Sequence, residues 1–404
     1  MQNHNQTTSH KITVPLIKNA FIEEDETKRA LADFIVHAKK LSMGEQCRAF
    51  EEAFAKKQSC KEAILFNSGG SANLAMFQAL KNMGELKDGD TVGFSALTWS
   101  TNSMPIIQMG LKPVAIDCDA DTLNVMSHNL EERHKQVKLK AFFATNVIGF
   151  AGDLQAIREF CRKNDILFLE DNCESLGTKL PEGKTGNFGL GASFSFYVAH
   201  HMSTIEGGMV CTDDEAFAEM LRIVRANGWD RNLHPHQQTK WRTTPAGIES
   251  EFYSKFLFHD LGFNLRPTEI TGFLGLYQLQ FLDRNIKMRE QTFLRCEAIM
   301  QNNADLVPVR RDHLAMVSSF VIPVIAKTSE LRDRYLQKFH NAGVEVRPMI
   351  AGNIQKQPFH KKYVVETYPL PNTDFLHTSS FYCGNCPDYT EEEIQTIMSC
   401  LSKN

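Results

Sequence analysis

The sequence predicts an α/β protein, in which a mostly parallel mixed sheet flanked by helices is followed by a smaller C-terminal α/β domain. Short runs rich in β-branched and aromatic residues alternate with helical patterns up to about residue 228, and this alternation is typical of a sheet buried on both faces. The chain has 404 residues, of which 42% are apolar, so it can bury two cores. We expect a flexible tail at 1–12, a large domain at 13–285 and a small domain at 286–404.

The strands of the larger domain are predicted from short apolar runs. These runs are EAILFNS, DTVGFSA, KPVAID, KAFFATNV, ILFLED, ASFSFY and GMVCT. A polar loop around residues 230–250 should follow, and then a single long helix entered through Pro267. The smaller domain is predicted from AMVSSFVIPVIA, a helix near 329–341, VEVRP and a last helix around 390–402.

Composition and charge exclude several classes of function. The net charge is -4 with both signs interspersed, so nucleic acid is not an expected partner. The N-terminal stretch is polar and no apolar run of about 18 residues follows, which predicts a cytoplasmic protein without a membrane partner. Ten scattered cysteines indicate reduced thiols. Cys383 and Cys386 lack the second pair that a zinc or iron-sulfur site needs, so we predict core and loop residues there and no metal.

Candidate binding residues follow the predicted strands, because ligands of open α/β sheets collect beyond the carboxyl ends of the strands. NSGGSAN, residues 67–73, follows the first strand and opens a helix. Backbone N–H groups around Gly69, Gly70 and Ser71 can therefore bind an anion such as phosphate. An ordinary strand-to-helix turn is the alternative interpretation of this stretch.

Three further stretches are ambiguous when each is taken alone. Glu170 and Asp171 close the strand ILFLED, where a carboxylate can pair with a protonated cofactor ring or cap a turn. Trp99, in ALTWST, can stack on a flat ring or belong to the core. The stretch FSFYVAHHMSTIEGG has the pattern of a segment that carries a cofactor-binding lysine, yet it contains His200 and His201 instead.

Taken together, these stretches resemble the nucleotide-sugar aminotransferases, a branch of the fold-type I transferases that depend on pyridoxal 5'-phosphate (PLP). MGEQCRAFEEAFAKK, RANGWDRNL, GFNLRPTEITGFLGLYQL and VEVRPMIAGN add to the resemblance, which runs from about residue 43 to 353. In that family the lysine that binds PLP lies six residues before the glutamate of EGG. Glu206 is that glutamate here, so His200 stands at the lysine position.

The replacement resembles a subgroup, the 3-dehydratases that remove the carbon-3 hydroxyl of 4-keto-6-deoxy nucleotide sugars. The resemblance implies non-covalent PLP, its conversion to pyridoxamine 5'-phosphate (PMP) by L-glutamate, and release of ammonia; it favours GDP-4-keto-6-deoxymannose as the substrate. Histidine cannot form lysine's lasting bond to PLP, but an imidazole with a pKa near 6.5 is a suitable general base and acid at neutral pH. Neighbouring residues of an extended segment point to opposite faces, so His201 is expected to support His200.

The resemblance also implies roles for other residues. Asp171 would pair with the pyridine nitrogen, Glu174 would contact the ring hydroxyl, and Trp99 would stack on the ring. The phosphate would be bound by Gly69, Gly70, Ser71 and Ser195.

Three residues are expected to act beyond the cofactor itself. Asn264, in GFNLR, would reach the phosphate from a neighbouring subunit, which implies a homodimer with shared active sites. Arg231 and Arg347 are candidates for the substrate phosphate or the glutamate carboxylate, because arginine binds such anions with two parallel hydrogen bonds. Surface ion pairs are the alternative for both arginines.

Related 3-dehydratases that act on CDP-linked sugars carry an iron-sulfur cluster bound by four cysteines. This chain has no cysteine between Cys211 and Cys296, so we predict no cluster and no reductase partner. Two other functions stay open: an aminotransferase without the usual lysine, and a catalytically silent regulatory protein with a PLP fold. The retained Asp171, Trp99 and phosphate-loop residues argue against a silent protein.

Overall fold

The computed structural model describes residues 12–243 and 251–403. Almost all of the predicted flexible tail and residues 244–250 of the predicted polar loop lie outside the described residues. Within the described part, residues 235–243 of that loop form a helix, which differs from the prediction. Arg242 on this helix donates a 2.6 Å hydrogen bond from Nε to Oδ2 of the buried Asp230, so an ion pair attaches the polar segment to the large domain.

A seven-stranded sheet forms the centre of the large domain, and all seven predicted strands are present in it. The strands of the described residues are β1 (Glu62–Phe66), β2 (Thr91–Ser95), β3 (Lys112–Ile116), β4 (Ala141–Thr145), β5 (Leu167–Asp171), β6 (Lys179–Leu180), β7 (Gly183–Lys184), β8 (Gly191–Ser195), β9 (Gly208–Thr212), β10 (Val321–Ile325), β11 (Val346–Pro348) and β12 (Ser380–Gly384). The order in the large sheet is β1-β9-β8-β5-β4-β2-β3. Four adjacent pairs are parallel and the two pairs that involve β9 are antiparallel, so the predicted mostly parallel mixed sheet is confirmed.

Helices cover both faces of this sheet. Those of the described residues are α1 (Glu24–His37), α2 (Glu45–Gln58), α3 (Gly69–Asn82), α4 (Met104–Gln108), α5 (Ser127–Gln136), α6 (Leu154–Lys163), α7 (Glu215–Arg225), α8 (Pro235–Thr243), α9 (Glu251–Ser254), α10 (Glu269–Leu279), α11 (Leu282–Gln301), α12 (Ser329–Asn341), α13 (Pro358–Tyr363), α14 (Pro371–Ser379) and α15 (Glu391–Leu401). β4 and β8 are buried along their whole length, as expected for strands with helices on both sides.

The single long helix predicted after Pro267 is wrong, because two helices, α10 and α11, occupy that stretch. α10 packs against α2 so closely that a β-carbon on Gly272 or Gly275 would collide with α2. α11 packs instead against α15 and β10. The helix is interrupted between Leu279 and Leu282, and the two helices pack against different elements, which local periodicity does not reveal.

The C-terminal part contains the antiparallel sheet β10-β12-β11 with α12, α14 and α15 packed near it. Val14 forms a parallel bridge with Val344, and the Tyr389 hydroxyl donates a 2.5 Å hydrogen bond to the Pro15 carbonyl. The N-terminal segment thus bonds to residues that flank the strands of this small sheet. We propose that the small domain begins within α11, near the predicted boundary, and also includes Val14 and Pro15. None of the helices in the described ranges is both long and apolar enough to span a bilayer.

The contact between the two parts of the chain yields a stability prediction at Gly149. Its φ of +97° is unfavourable for other residues, and a β-carbon there would lie 2.6 Å from the backbone nitrogen of Phe320. Gly149→Ala should therefore lower the free energy of unfolding by about 3 kcal/mol or more. Gly84→Ala is the matched control, because Gly84 has a φ of +76° but open space around it, and only the backbone cost of about 1 kcal/mol applies. Urea denaturation of both variants would measure this, and equal losses would contradict the prediction.

Candidate active site

A cavity of about 380 Å³ opens at the carboxyl ends of the parallel strands. Seven of the residues singled out in the sequence line it, and they are Gly69, Gly70, Trp99, Asp171, Glu174, Ser195 and His200. The small domain contributes Phe320, Ile350 and Tyr382 to the same cavity. The site therefore lies where the two parts of the chain meet.

Asp171, at the end of β5, is held in one orientation by three hydrogen bonds. Its Oδ2 accepts from the side-chain amides of Asn73 and Asn102, both at 2.8 Å, and its Oδ1 accepts from the backbone N–H of Cys173 at 2.9 Å. Asn73 lies on α3 and Asn102 follows β2, and both are fully buried. Sequence reasoning missed these two asparagines; the amide of Asn73 at the start of an apolar helix was an available signal, whereas Asn102 lies in the polar stretch STNS and gave none.

Glu170 precedes Asp171 and points to the opposite side of the strand, as alternation requires. Its carboxylate accepts hydrogen bonds from the backbone N–H groups of Gly186, Phe188 and Gly189 at 2.8–2.9 Å. Glu170 is fully buried and does not line the cavity. We therefore interpret Glu170 as the anchor of the loop before β8; of these two adjacent carboxylates, Asp171 is the one that lines the cavity.

The start of α3 and the end of β8 form a narrow cradle on one side of the cavity. Ser68 caps the helix, because its Oγ accepts a 3.1 Å hydrogen bond from the backbone N–H of Ser71. A β-carbon on Gly69 would lie 2.7 Å from the β-carbon of Ser195, so only glycine allows this approach. A helix N-terminus and a serine hydroxyl meet here, and both favour an anion. The side chain of Ser71 is turned to Ser68, at 2.9 Å between the two hydroxyls, and does not line the cavity.

Glu174 lies beside Asp171, and its Oε2 accepts a 2.8 Å hydrogen bond from the backbone N–H of Ile148. Burial, with a smaller contribution from the Asp171 carboxylate, raises the pKa of Glu174 to about 8. The carboxyl group therefore holds a proton at neutral pH. Ile148 adopts a left-handed conformation with φ +46°, which is unusual for a β-branched residue and strains the backbone that orients Glu174.

His200 reaches the cavity from the turn after β8. Its ring lies 5.2 Å from the Phe320 ring and 6.1 Å from the Tyr197 ring, measured between centroids. Its Nδ1 is buried and has no hydrogen-bond partner among the described residues. Burial first, and then the positive charge of Arg289, lower the pKa of His200 to about 3. The imidazole is therefore uncharged at neutral pH and can accept a proton.

His201 is fully buried and does not line this cavity. Its Nε2 donates to the backbone carbonyl of Ser318 at 3.0 Å, which defines the tautomer, and burial lowers its pKa well below the usual histidine value. His200 alone of the two lines the active-site cavity, but the segment is a turn, closed by a 2.9 Å hydrogen bond from the His200 N–H to the Tyr197 carbonyl, and not the extended segment expected from the sequence.

Trp99 lies at the rim of the cavity with 55% of its surface exposed, and Tyr197 is 46% exposed nearby. Exposed aromatic side chains of this size are uncommon in a folded chain unless a flat ligand or another chain covers them. The core interpretation of Trp99 is therefore wrong, because the indole borders open space.

Three of the expected residues, Asn264, Arg231 and Arg347, do not line the cavity of their own chain. Asn264 is exposed and pairs through its backbone with Ala226. Arg231 stacks over Trp229, with 5.1 Å between the guanidinium carbon and the ring centroid. Arg347 forms a 2.5 Å ion pair with Glu345. Their proposed roles toward the substrate or a neighbouring subunit stay predictions.

No group of three or more histidine, cysteine, aspartate or glutamate residues with metal-binding geometry occurs within residues 12–243 and 251–403. Cys383 and Cys386 are free thiols that pack in the core of the small domain. This matches the core interpretation of the CGNC stretch.

A mostly parallel sheet with a carboxylate, a capped glycine-rich helix start and a histidine segment at its strand ends is the arrangement of the fold-type I PLP-dependent transferases. The chain belongs to the DegT/DnrJ/EryC1/StrS aminotransferase family, which matches residues 22–402.

Relatives of this chain within the family include 3-dehydratases of a GDP-linked keto-sugar. GDP-4-keto-6-deoxy-D-mannose 3-dehydratase of Escherichia coli O55:H7 is 31% identical over 394 residues, which cover 96% of this chain and 100% of that enzyme. The solved structure of the E. coli enzyme with bound hydrated PLP is similar with a TM-score of 0.89 at 31% identity, covering 97% of this chain and 100% of the other. A solved GDP-4-keto-6-deoxymannose-3-dehydratase with a trapped PLP-glutamate geminal diamine has a TM-score of 0.88 at 30% identity, covering 96% and 100% of the two chains.

The raised pKa of Glu174 predicts how stability depends on pH. A carboxyl whose pKa is higher in the folded chain than in the unfolded chain contributes stability below its unfolded pKa, and this contribution is lost as the pH rises to about 8. Glu174→Gln is nearly isosteric and cannot ionise, so the cofactor-free variant should lose less stability than wild type between pH 5 and pH 8.5. Urea midpoints at both pH values would measure the difference, and identical pH dependence in the two proteins would refute the protonated Glu174.

Proposed function

We propose that the protein is a PLP/PMP-dependent 3-dehydratase of a 4-keto-6-deoxy nucleotide sugar, with L-glutamate as the amino donor and ammonia as a product. GDP-4-keto-6-deoxymannose is the proposed substrate, and the name of the E. coli relative supports it. The glutamate adduct of the solved relative supports the amino donor. We further propose that the sugar product serves the synthesis of a lipopolysaccharide O-antigen.

The observation that carries the proposal is the identity of the base in the cavity. His200 stands where the aminotransferases of the resemblance carry lysine, and no lysine lines the cavity in the described part of the chain. An aminotransferase that recruits another lysine would need such a side chain near the cofactor, so this alternative loses its support. The ordered carboxyl groups of Asp171 and Glu174 argue against a silent regulatory protein, because three hydrogen bonds around Asp171 would otherwise serve no ligand.

The cavity fits a pyridoxal cofactor by several of its own features. The cradle of Gly69 and Ser195 at the start of α3, which a β-carbon would fill, suits the phosphate group. Asp171 is oriented to pair with a pyridinium nitrogen, and the exposed Trp99 indole offers a face for the ring. We propose that Gly69, Gly70, Ser71 and Ser195 bind the phosphate and that Glu174, as a protonated acid, donates to the ring hydroxyl.

When bound, the cofactor would supply an amino group for the sugar's keto carbon and an electron-withdrawing ring. The chain's own residues would hold and move protons around it. His200 has an uncharged imidazole in the cavity, and we propose that it removes a proton at the reacting carbon and then delivers one to the departing hydroxyl group. Asp171 would keep the ring nitrogen protonated. Because His200 cannot form the covalent link that lysine forms, it would leave the amino group free for hydrolysis to ammonia.

We also propose a homodimer with shared active sites. Asn264 is exposed and lies outside the cavity of its own chain, so it is available to a second copy. Four large apolar side chains nearby, which are Phe252, Tyr253, Phe256 and Phe258, are each at least 60% exposed, and such a patch is typical of an interface. The cytoplasmic location and the absence of a reductase partner stay predictions.

The function is tested by incubation with PLP, L-glutamate and GDP-4-keto-6-deoxymannose. We expect release of ammonia and a product that has lost one oxygen, measured by a coupled ammonia assay and mass spectrometry. An amino sugar as the product would indicate the aminotransferase instead. The proposal would be overturned in favour of a silent protein if neither L-glutamate nor the sugar were consumed with any of several nucleotide-linked 4-keto-6-deoxy sugars.

His200→Lys tests the proposed base directly. We expect PLP to become covalently attached, which borohydride reduction would preserve as a pyridoxyl group on the new lysine, and dehydration to be lost because the amine retains the cofactor. His200→Asn is the control, since it removes the base without adding an amine and should lose dehydration while binding PLP non-covalently. Dehydration at the wild-type rate in either variant would refute the role of His200.

A further inference from the structure

A second, smaller cavity of about 100 Å³ lies on the other side of His200. It is lined by His200, His201, Asn285, Arg289 and Phe320 together with the N-terminal segment around residues 16–22. His200 and Phe320 line both cavities, so they separate the candidate active site from this space. A residue that lines the second cavity can therefore influence the proposed base, His200, from the side away from the active site.

Arg289, on α11, places a cation at this cavity. Only 6% of its surface is exposed, and it forms no ion pair with any described residue. Burial lowers its pKa to about 10, so the guanidinium stays charged at neutral pH. A buried cation without a carboxylate partner is costly, and proteins keep such a group where its charge or geometry is needed.

Uncharged acceptors hold the guanidinium in place. Its Nη1 donates to the backbone carbonyls of Phe320 at 2.8 Å and Asn385 at 2.7 Å, and its Nε donates to the side-chain oxygen of Asn285 at 2.8 Å. The side chain of Asn385 donates in return to the Arg289 carbonyl at 3.0 Å. These bonds join α11 to the residue before β10 and to the residue after β12, and they leave the guanidinium little freedom.

Two of these partners are also the partners of the histidine segment. The Phe320 ring packs against His200 at 5.2 Å and against His201 at 5.9 Å between centroids. The Asn285 amide donates a hydrogen bond to the His201 carbonyl. His200 itself has no hydrogen bond at Nδ1 to any described residue, so these neighbours are what define the position of its ring.

We propose that Arg289 is a positioning residue for His200, which fixes through Phe320 and Asn285 the two segments between which the imidazole lies. The inference deepens the proposed function, on which it rests, by adding a residue that touches neither cofactor nor substrate.

The charge distribution around His200 supports this assignment. The titratable and charged side chains that line its two cavities are Tyr197, His201 and Glu206 from its own loop, Asp171, Cys173 and Glu174 from the end of β5, Arg289 from α11, and Tyr382, Cys386 and Asp388 from β12 and the following loop. Arg289 is the one permanent cation in this set of described residues, and its charge is the main cause, after burial, that lowers the pKa of His200. Asp171, Glu206 and Asp388 in this set would favour the imidazolium, and Asp388 lines the same cavity as Arg289.

Arg289→Gln in the full-length protein tests the assignment. We expect kcat of dehydration to fall by about 10- to 100-fold because the base is misplaced, while the affinity for PLP, measured by absorbance titration, changes less than about twofold. We also expect the His200 imidazole to titrate closer to its ordinary value of about 6.5, followed by NMR of protein labelled at the histidine ring carbons and assigned with His200→Asn. Arg295→Gln is the matched control, since Arg295 lies on the same helix but is paired with Glu391 at the surface, and it should change neither quantity.

Asn285→Ala provides a second variant in case Arg289→Gln does not fold. It breaks the link to the His201 carbonyl but leaves the charge, so kcat should fall without an upward change in the His200 titration. Wild-type kcat in either folded variant, or an unchanged His200 titration in Arg289→Gln, would overturn the assignment. If the wild-type protein proves inactive as a dehydratase, the proposed function is overturned. The NMR titration does not depend on turnover, so it still shows whether Arg289 influences His200.

Discussion

The site depends on the two amide hydrogen bonds that hold the Asp171 carboxylate. Asn73 comes from the helix that follows β1, Asn102 from the turn that follows β2, and Asp171 from the end of β5, so one carboxylate joins three separate strand ends. Those ends meet because the parallel strands share one edge of the sheet. Burying a carboxylate is tolerated only with such donors, and the same donors fix where a cationic ring can be bound.

Around this fixed point, burial shifts the pKa values of two groups in the cavity, Glu174 and His200, in opposite directions. It raises the pKa of Glu174 to about 8 and lowers the pKa of His200 to about 3, so the cavity holds an acid and a base that are both uncharged at neutral pH. Pairs of groups whose surroundings separate their pKa values in this way are typical of sites that transfer protons. The strained backbone at Ile148 supplies the N–H that orients Glu174, so the strain and the hydrogen bond occur at one residue.

Sequence patterns predict the sheet and the residues at its strand ends, because both are local: an apolar run followed by a small or acidic residue identifies each of them. The seven strands and the strand-end positions of Gly69 and Asp171 were accessible in this way, whereas Ser195 and His200 were identified through the family resemblance. The break between α10 and α11 was not, because it follows from two packing partners that are distant in sequence. Asn73, Phe320 and Arg289 were missed for the same reason, since each acts through a contact between remote segments.

The surroundings of His200 also explain why a histidine suits this position. A free lysine here would add a second cation to a buried space that already contains the unpaired charge of Arg289, and two like charges in a low-dielectric interior repel each other strongly. An imidazole avoids that repulsion by remaining uncharged, and the charge of Arg289 adds to burial in lowering the pKa of His200. A histidine in place of lysine and a buried arginine beside it therefore fit the proposed arrangement, in which phosphate and ring contacts would hold the cofactor instead of a covalent link.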